Sequence, residues 1–227
     1  MKFYNREKEK ADLKKIIAQS KNSAKMVVIT GRRRIGKTLL SIEASKEENY
    51  LYFFIAKKNE PLLCSEFLGQ IKEKFETAVY GEIRSFKSIF EIILKIAEKQ
   101  NLTLIIDEFQ EFYSINPSIF SDLQNLWDQN KAKCRLTLVI IGSIYSLINK
   151  IFQDSKEPLF GRADRILYLK PFTIKTLREI LADNKIQTTS VLFDYFLFTG
   201  GIPRYIEYLT EEKAFGLDKI IDFTFRE

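Results

Sequence analysis

The eight residues Gly31-Arg32-Arg33-Arg34-Ile35-Gly36-Lys37-Thr38 constrain this chain more than any other stretch. They match the P-loop pattern G-x-x-x-x-G-K-[ST], with the apolar run KMVVIT (25–30) before them and an amphipathic segment (37–46) after. A strand, a glycine-framed turn and a helix in that order aim successive backbone N–H groups, and the positive end of the helix dipole, at one point. That point suits phosphate. Lys37 is then placed to reach the β- and γ-phosphates of a nucleotide, and the Thr38 hydroxyl to serve Mg2+. Arg32, Arg33 and Arg34 can touch phosphate, pair with acids or meet a nucleic acid, and solvated loop charge is the expected role of at least two. The stretch from Gly31 through Ile35 and Gly36 to Leu39 is counted as the binding loop.

Other short apolar runs are YLYFFIA (50–56), LTLIID (102–107), LTLVIIG (136–142) and RILYL (165–169). Runs apolar on both faces suit buried parallel strands. Helical patterns lie between them over 37–46, 61–75, 86–99, 117–129 and 143–152, with Pro61 and Pro117 suited to first-turn positions. The alternation predicts an α/β fold: a three-layer αβα P-loop NTPase with a parallel five-stranded sheet. After LKPF (169–172) the strands cease, and four helical patterns follow. The expected division is an ATPase core over 1–170 and a small all-helical lid over 171–227. The last segment is still amphipathic at Glu227, which raises the suspicion that the chain is a fragment.

The second chemical element is LTLIIDEFQEF (102–112), an apolar strand ending on Asp107-Glu108. An aspartate there would hold the Mg2+ hydration shell, the Walker B role. Strand alternation turns Glu108 the other way, where it can polarise a water against the γ-phosphate. The chain has no histidine, so a carboxylate is the natural base. A Walker B glutamate suggests ATPases with an extra strand between the P-loop strand and the Walker B strand, and LTLVIIG is the candidate. Ser143 after it can sense the γ-phosphate, cap the next helix, or do both. No N-K-x-D motif reads a guanine, since NKAK (130–133) lacks the aspartate, and no LSGGQ-like signature points to a transporter.

The charge balance, 36 basic against 30 acidic side chains in 227 residues, permits a polyanionic partner without demanding one. Cys64 and Cys134 show no metal-ligand spacing and read as buried free thiols. The first 25 residues are too charged for a signal peptide, and no apolar run approaches a membrane span, so a soluble cytoplasmic protein is expected.

Several pieces in order resemble an archaeal-type ATPase of the STAND (signal-transducing) group, related to AAA+ proteins. They are FYNREKEKADL (3–13), GRRRIGKT (31–38), LIIDEFQEF (104–112), IIGS (140–143), EPLFGR (157–162) and GGIPRYIEYL (200–209). One departure is Lys10, where the N-terminal box usually has leucine; Leu13 is available for the packing role. The resemblance implies that Asn5 and Arg6 lie near the adenine and that Pro203 and Arg204 cover the base from the lid. It also implies that Arg162 stands where AAA+ proteins carry an arginine finger. ATP or ADP with Mg2+ between core and lid is the implied cofactor set. Family members usually continue into a winged helix and a nuclease-like domain.

Three functions follow as alternatives. The first is an ATP-driven switch with slow turnover and Glu108, Lys37 and Arg162 as its catalytic groups. The second is a nucleic-acid-associated loader or remodeller, favoured by the net charge and the arginines. The third is a non-hydrolysing scaffold, against which Asp107-Glu108 counts. DNA or a protein partner bound through a missing C-terminal region, and a nucleotide-dependent homo-oligomer, stay open.

Overall fold

The five apolar runs become one parallel sheet: β1 (Lys25–Gly31), β2 (Tyr50–Phe54), β3 (Leu102–Asp107), β4 (Leu136–Gly142) and β5 (Arg165–Leu169). The computed structural model describes residues 3–75 and 81–225, so the last two residues of the C-terminal helical pattern lie outside the described residues. Strand order is β2-β3-β4-β1-β5. The expected extra strand is therefore β4, between the loop-bearing β1 and the Asp107-bearing β3. Its register sets Thr30 opposite Gly142 and Ile106 opposite Ile140. Both β3 and β4 are buried along their whole length, as central strands covered on two faces must be.

The covering helices are α1 (Glu7–Gln19), α2 (Lys37–Ser45), α3 (Glu60–Lys74), α4 (Phe86–Lys99), the short α5 (Phe112–Ile115), α6 (Ser118–Asn130) and α7 (Tyr145–Gln153). A 3-10 turn, Phe109–Glu111, leads from β3 towards α5. On one face, Val28, Ile106 and Ile140 join a core with Phe67 of α3, Phe90 of α4 and Trp127 of α6. The intervening Ile29, Ile105 and Ile141 are equally buried and point the other way. On that side Thr137 of β4 donates to the Ser20 hydroxyl just beyond α1 at 2.8 Å. The ion pairs Lys10–Glu43 and Lys14–Glu47 tie α1 to α2. Leu13 is fully buried, so it does take the packing role while Lys10 pairs outward.

Helix starts follow local chemistry. Asn59 accepts from the Leu62 N–H at the head of α3, where Pro61 sits in the first turn, and Ser85 caps α4. Pro117 stands at the N-cap of α6, one residue outside the expected first turn; its locked φ is compatible with either place. Both cysteines are buried free thiols, and burial pushes Cys64 up to about 12.

Beyond β5 come α8 (Ile174–Asp183), α9 (Thr189–Thr199), α10 (Pro203–Glu211) and α11 (Leu217–Phe225). They close on their own core of Leu177, Ile180, Tyr195, Ile206 and Ile220. The chain forms two compact units. One takes the described residues within Met1–Glu7, Arg32–Lys37 and Leu169–Glu227; the other takes Lys8–Gly31 and Thr38–Tyr168. The helical unit thus includes the start of the N-terminal box, through Glu7, and the centre of the binding loop. Among the described residues no helix is long and apolar enough to cross a membrane.

Gly201 (φ +72) holds the α9–α10 corner, and a Cβ there would lie 2.4 Å from the Phe172 carbonyl oxygen. Its neighbour Gly200 (φ +55) has nothing within 4 Å of the same position. Gly201→Ala is expected to destabilise the helical unit by about 2–3 kcal/mol, and Gly200→Ala by about 1 kcal/mol. Thermal unfolding of the two variants checks the order; equal melting temperatures would rule out the backbone clash.

Candidate nucleotide site

The loop between β1 and α2 is bent by positive φ at Gly31 (149°), Arg34 (66°) and Gly36 (90°). Gly36 leaves open space where a side chain would project, which lets a ligand approach the backbone closely. Lys37 is 7% exposed, and its ammonium donates to the Arg32 carbonyl at 3.0 Å across the loop. Arg32, Arg33 and Arg34 are all exposed, and the Arg34 guanidinium lies 5.4 Å over the Tyr205 ring of α10. The Arg34 carbonyl also accepts from the Arg204 N–H at 3.4 Å.

Loop and lid helix are thereby joined inside one compact unit, with Pro203 at the first position of α10 beside them. The Arg204 side chain turns back along its own helix, paired with Glu207 and stacked 4.3 Å over Tyr208. The first residues of the N-terminal box, through Glu7, belong to the same unit. Asn5 donates to Thr176 at 3.0 Å, and Arg6, 5% exposed, donates to the Lys170 carbonyl at 2.5 Å and lies over Phe172. Asn5 and Arg6 both have positive φ. The Asn5 side chain steadies this bend by accepting from the Arg6 N–H at 2.8 Å.

The second unit gathers Gly31, Thr38, Leu39, Asp107, Glu108 and Ser143. Leu39, counted in the loop from sequence, is exposed in the first turn of α2. Thr38 donates to Asp107 Oδ2 at 2.5 Å, so the residue after Lys37 meets the end of β3 directly. Tyr52 of β2 donates to the same oxygen at 3.0 Å, and the Glu108 N–H donates to Oδ1 at 2.8 Å. Asp107 is only 5% exposed. Burial, then the neighbouring Asp107 carboxylate, raises the Tyr52 phenol well above its ordinary value, so Tyr52 is a proton donor throughout the physiological range.

Thr38 and Asp107 offer a hydroxyl and a carboxylate, both hard oxygen donors. Among the described residues no group of three or more His, Cys, Asp or Glu could hold a metal. Few protein oxygens, with substrate phosphates and water completing the shell, is the habit of Mg2+. The donor set therefore fits Mg2+ held by Thr38 and Asp107.

Glu108 corrects an expectation about cause. Its orientation does not come from strand alternation, because β3 ends at Asp107 and Glu108 is left-handed (φ 54°, ψ 40°). Ser143, at the end of the adjacent β4, donates to both Glu108 oxygens at 2.7 and 3.0 Å, and Gln110 donates as well. The capping alternative for Ser143 falls away: the N-cap of α7 is Ile144, with no side-chain cap. Neighbouring strand ends bring the Ser143 hydroxyl to Glu108 instead.

Arg162 is not brought to the strand ends that carry Gly31, Asp107 and Ser143. Its guanidinium pairs with Asp128 at 2.7 Å and donates to the Pro158 and Phe160 carbonyls. Two residues on, the Asp164 N–H donates to the carbonyl of Met26, at the start of β1, whereas Gly31 closes its other end. Sequence reasoning missed Tyr52, Gln110 and Tyr205. Tyr52 reads as one more aromatic residue of a strand, and its hydroxyl gains meaning only through β2–β3 register. Gln110 and Tyr205 sit in the quoted motifs, but nothing in spacing assigns them partners.

The family described as an ATPase domain predominantly from Archaea matches residues 3–209. The chain belongs to that family. The match runs from the N-terminal box through the loop and Asp107-Glu108 into α10. The Methanocaldococcus jannaschii protein "Uncharacterized protein MJECL04" is 26% identical over 205 residues, 90% of this chain and 43% of that protein. The chain thus spans less than half the length of this relative. Among solved structures, the Walker-type ATPase PABY2304 of Pyrococcus abyssi aligns with a TM-score of 0.67 at 17% identity, covering 92% of this chain and 68% of that one. The Aeropyrum pernix ORC2 protein, solved as ADPNP-ADP complexes, aligns with a TM-score of 0.64 at 16% identity, covering 92% and 62%. At these identities the structural likeness shows the P-loop ATPase fold.

Proposed function

We propose that this ATPase-family domain is a Mg2+-dependent ATP-hydrolysing switch with a regulatory or signal-transducing role, the role the STAND-like motifs suggest. One observation carries the reading: Thr38, which directly follows the loop lysine, is hydrogen-bonded to the strand-terminal Asp107. Loop amides and Lys37 bind the triphosphate, and Asn5, Arg6, Pro203 and Arg204 sit in the compact unit that contains Lys37, suited to the base. Thr38 and Asp107 would hold Mg2+, which, when bound, would offset the negative charge of the phosphates. Ser143 and Gln110 hold the Glu108 carboxylate as an acceptor. Glu108 takes a proton from water as its oxygen attacks the γ-phosphorus. The bond from that phosphorus to the bridging oxygen breaks, and ADP leaves with both electrons. Any catalytic use of Arg162 requires a second copy, because it precedes β5, whose start lies beside the start of β1, the opposite end of that strand from Gly31.

The exposed Arg32 and Arg33 and the net charge of +6 favour a second reading, a nucleic-acid-associated ATPase. Phosphate release measured with and without duplex DNA, at low and moderate salt, separates the two. The switch reading expects turnover within about twofold with or without DNA. Stimulation that fades as salt rises would favour the second reading.

A further inference from the structure

The geometry points to Tyr52 as a positioning residue for the metal-binding carboxylate, one that holds Asp107 in the orientation Mg2+ requires. This rests on the proposed Mg2+-ATP site. Asp107 Oδ2 accepts from Thr38 at 2.5 Å and from Tyr52 at 3.0 Å, while Oδ1 accepts from the Glu108 N–H at 2.8 Å. Three donors from three places thus fix one carboxylate. Thr38 is the group that would share the cation, and the Glu108 N–H is bound to the left-handed bend that follows β3. Tyr52 is the donor that comes from a different strand.

Register explains why the residue is a tyrosine. Tyr52 stands opposite Ile105, and Phe54 opposite Asp107. Tyr52 is therefore a diagonal neighbour of Asp107 on the same sheet face, at a separation of about 7–8 Å between backbones. Serine or threonine is too short to cross that diagonal; a phenol reaches it. Phenylalanine would fill the same half-buried space, so packing alone does not account for the hydroxyl. Groups that orient a metal ligand are commonly worth about tenfold or more in metal affinity.

The test uses Tyr52→Phe, with Tyr50→Phe as a control on the same strand. Tyr50 lies two residues away, opposite Thr103 at the start of β3. Calorimetry reads ATP affinity without Mg2+, and then the Mg2+ concentration that drives tight binding of a non-hydrolysable ATP analogue. The expected result for Tyr52→Phe is a Mg2+ requirement raised about tenfold, with metal-free ATP affinity within about twofold of wild type. Turnover at saturating Mg2+ should stay within about threefold, and Tyr50→Phe should match wild type throughout. An unshifted Mg2+ requirement in folded Tyr52→Phe overturns the inference. So does an equal loss of metal-free ATP affinity, or the same shift in Tyr50→Phe, since each marks a general structural effect. Wild-type protein that binds no Mg2+-ATP at all would instead defeat the proposed function.

Discussion

Lys37→Ala is expected to weaken ATP binding by at least about 100-fold. The Lys37 ammonium is buried and donates to the Arg32 carbonyl at 3.0 Å. A buried cation in that place favours anionic oxygens, because a phosphate offsets its charge as well as accepting its hydrogen bonds, which a neutral carbonyl does not. Loss of two such bonds, each worth about 1.5–3 kcal/mol, accounts for the expected factor. Alanine also suits the first turn of α2, so the variant should fold. Titration calorimetry with Mg2+-ATP, alongside a melting curve, provides the check. Wild-type affinity in folded Lys37→Ala would mean that the loop does not cradle phosphate.

Glu108→Gln is expected to keep ATP affinity within about threefold while turnover falls about 100- to 1,000-fold. The amide is the same size as the carboxylate, and its oxygen can still accept from Ser143. What it loses is the ability to take a proton from water. Single-turnover measurements under saturating Mg2+-ATP distinguish this from slow product release. Hydrolysis at the wild-type rate would remove Glu108 from the catalytic role and revive the non-hydrolysing scaffold. A loss of ATP binding equal to the loss of turnover would mean that Glu108 chiefly supports the site through Ser143 and Gln110.

The elements close to the loop were readable because their signals are local. The runs at 25–30, 102–107 and 136–142 are apolar on both faces, and buried central strands demand that. Glycine at 31 and 36 allows the positive φ that the turn adopts. The placement of β4 beside β1 and β3 was also legible, through the Asp107-Glu108 pair. Less legible was the short segment after β3. Phe109 to Ile115 form a 3-10 turn and a four-residue α5. Phe109 and Phe112 are buried against each other with rings 5.5 Å apart. Tertiary packing, not helical periodicity, sets that bend.

By itself the sequence determined the strand–loop–helix turn, the carboxylate pair at the end of the third strand, and the change from mixed α/β to all-helical structure near residue 169. Those features depend on residues within a few positions of one another, whose backbone preferences and apolar spacing act along the chain. Tertiary structure decided the partners: Tyr52 with Asp107, Ser143 with Glu108, Arg34 with Tyr205, and Arg162 with Asp128. Each of these pairs joins segments far apart in the chain. Their meeting depends on strand order, register and helix packing, which arise only when the whole core condenses and which no single stretch encodes.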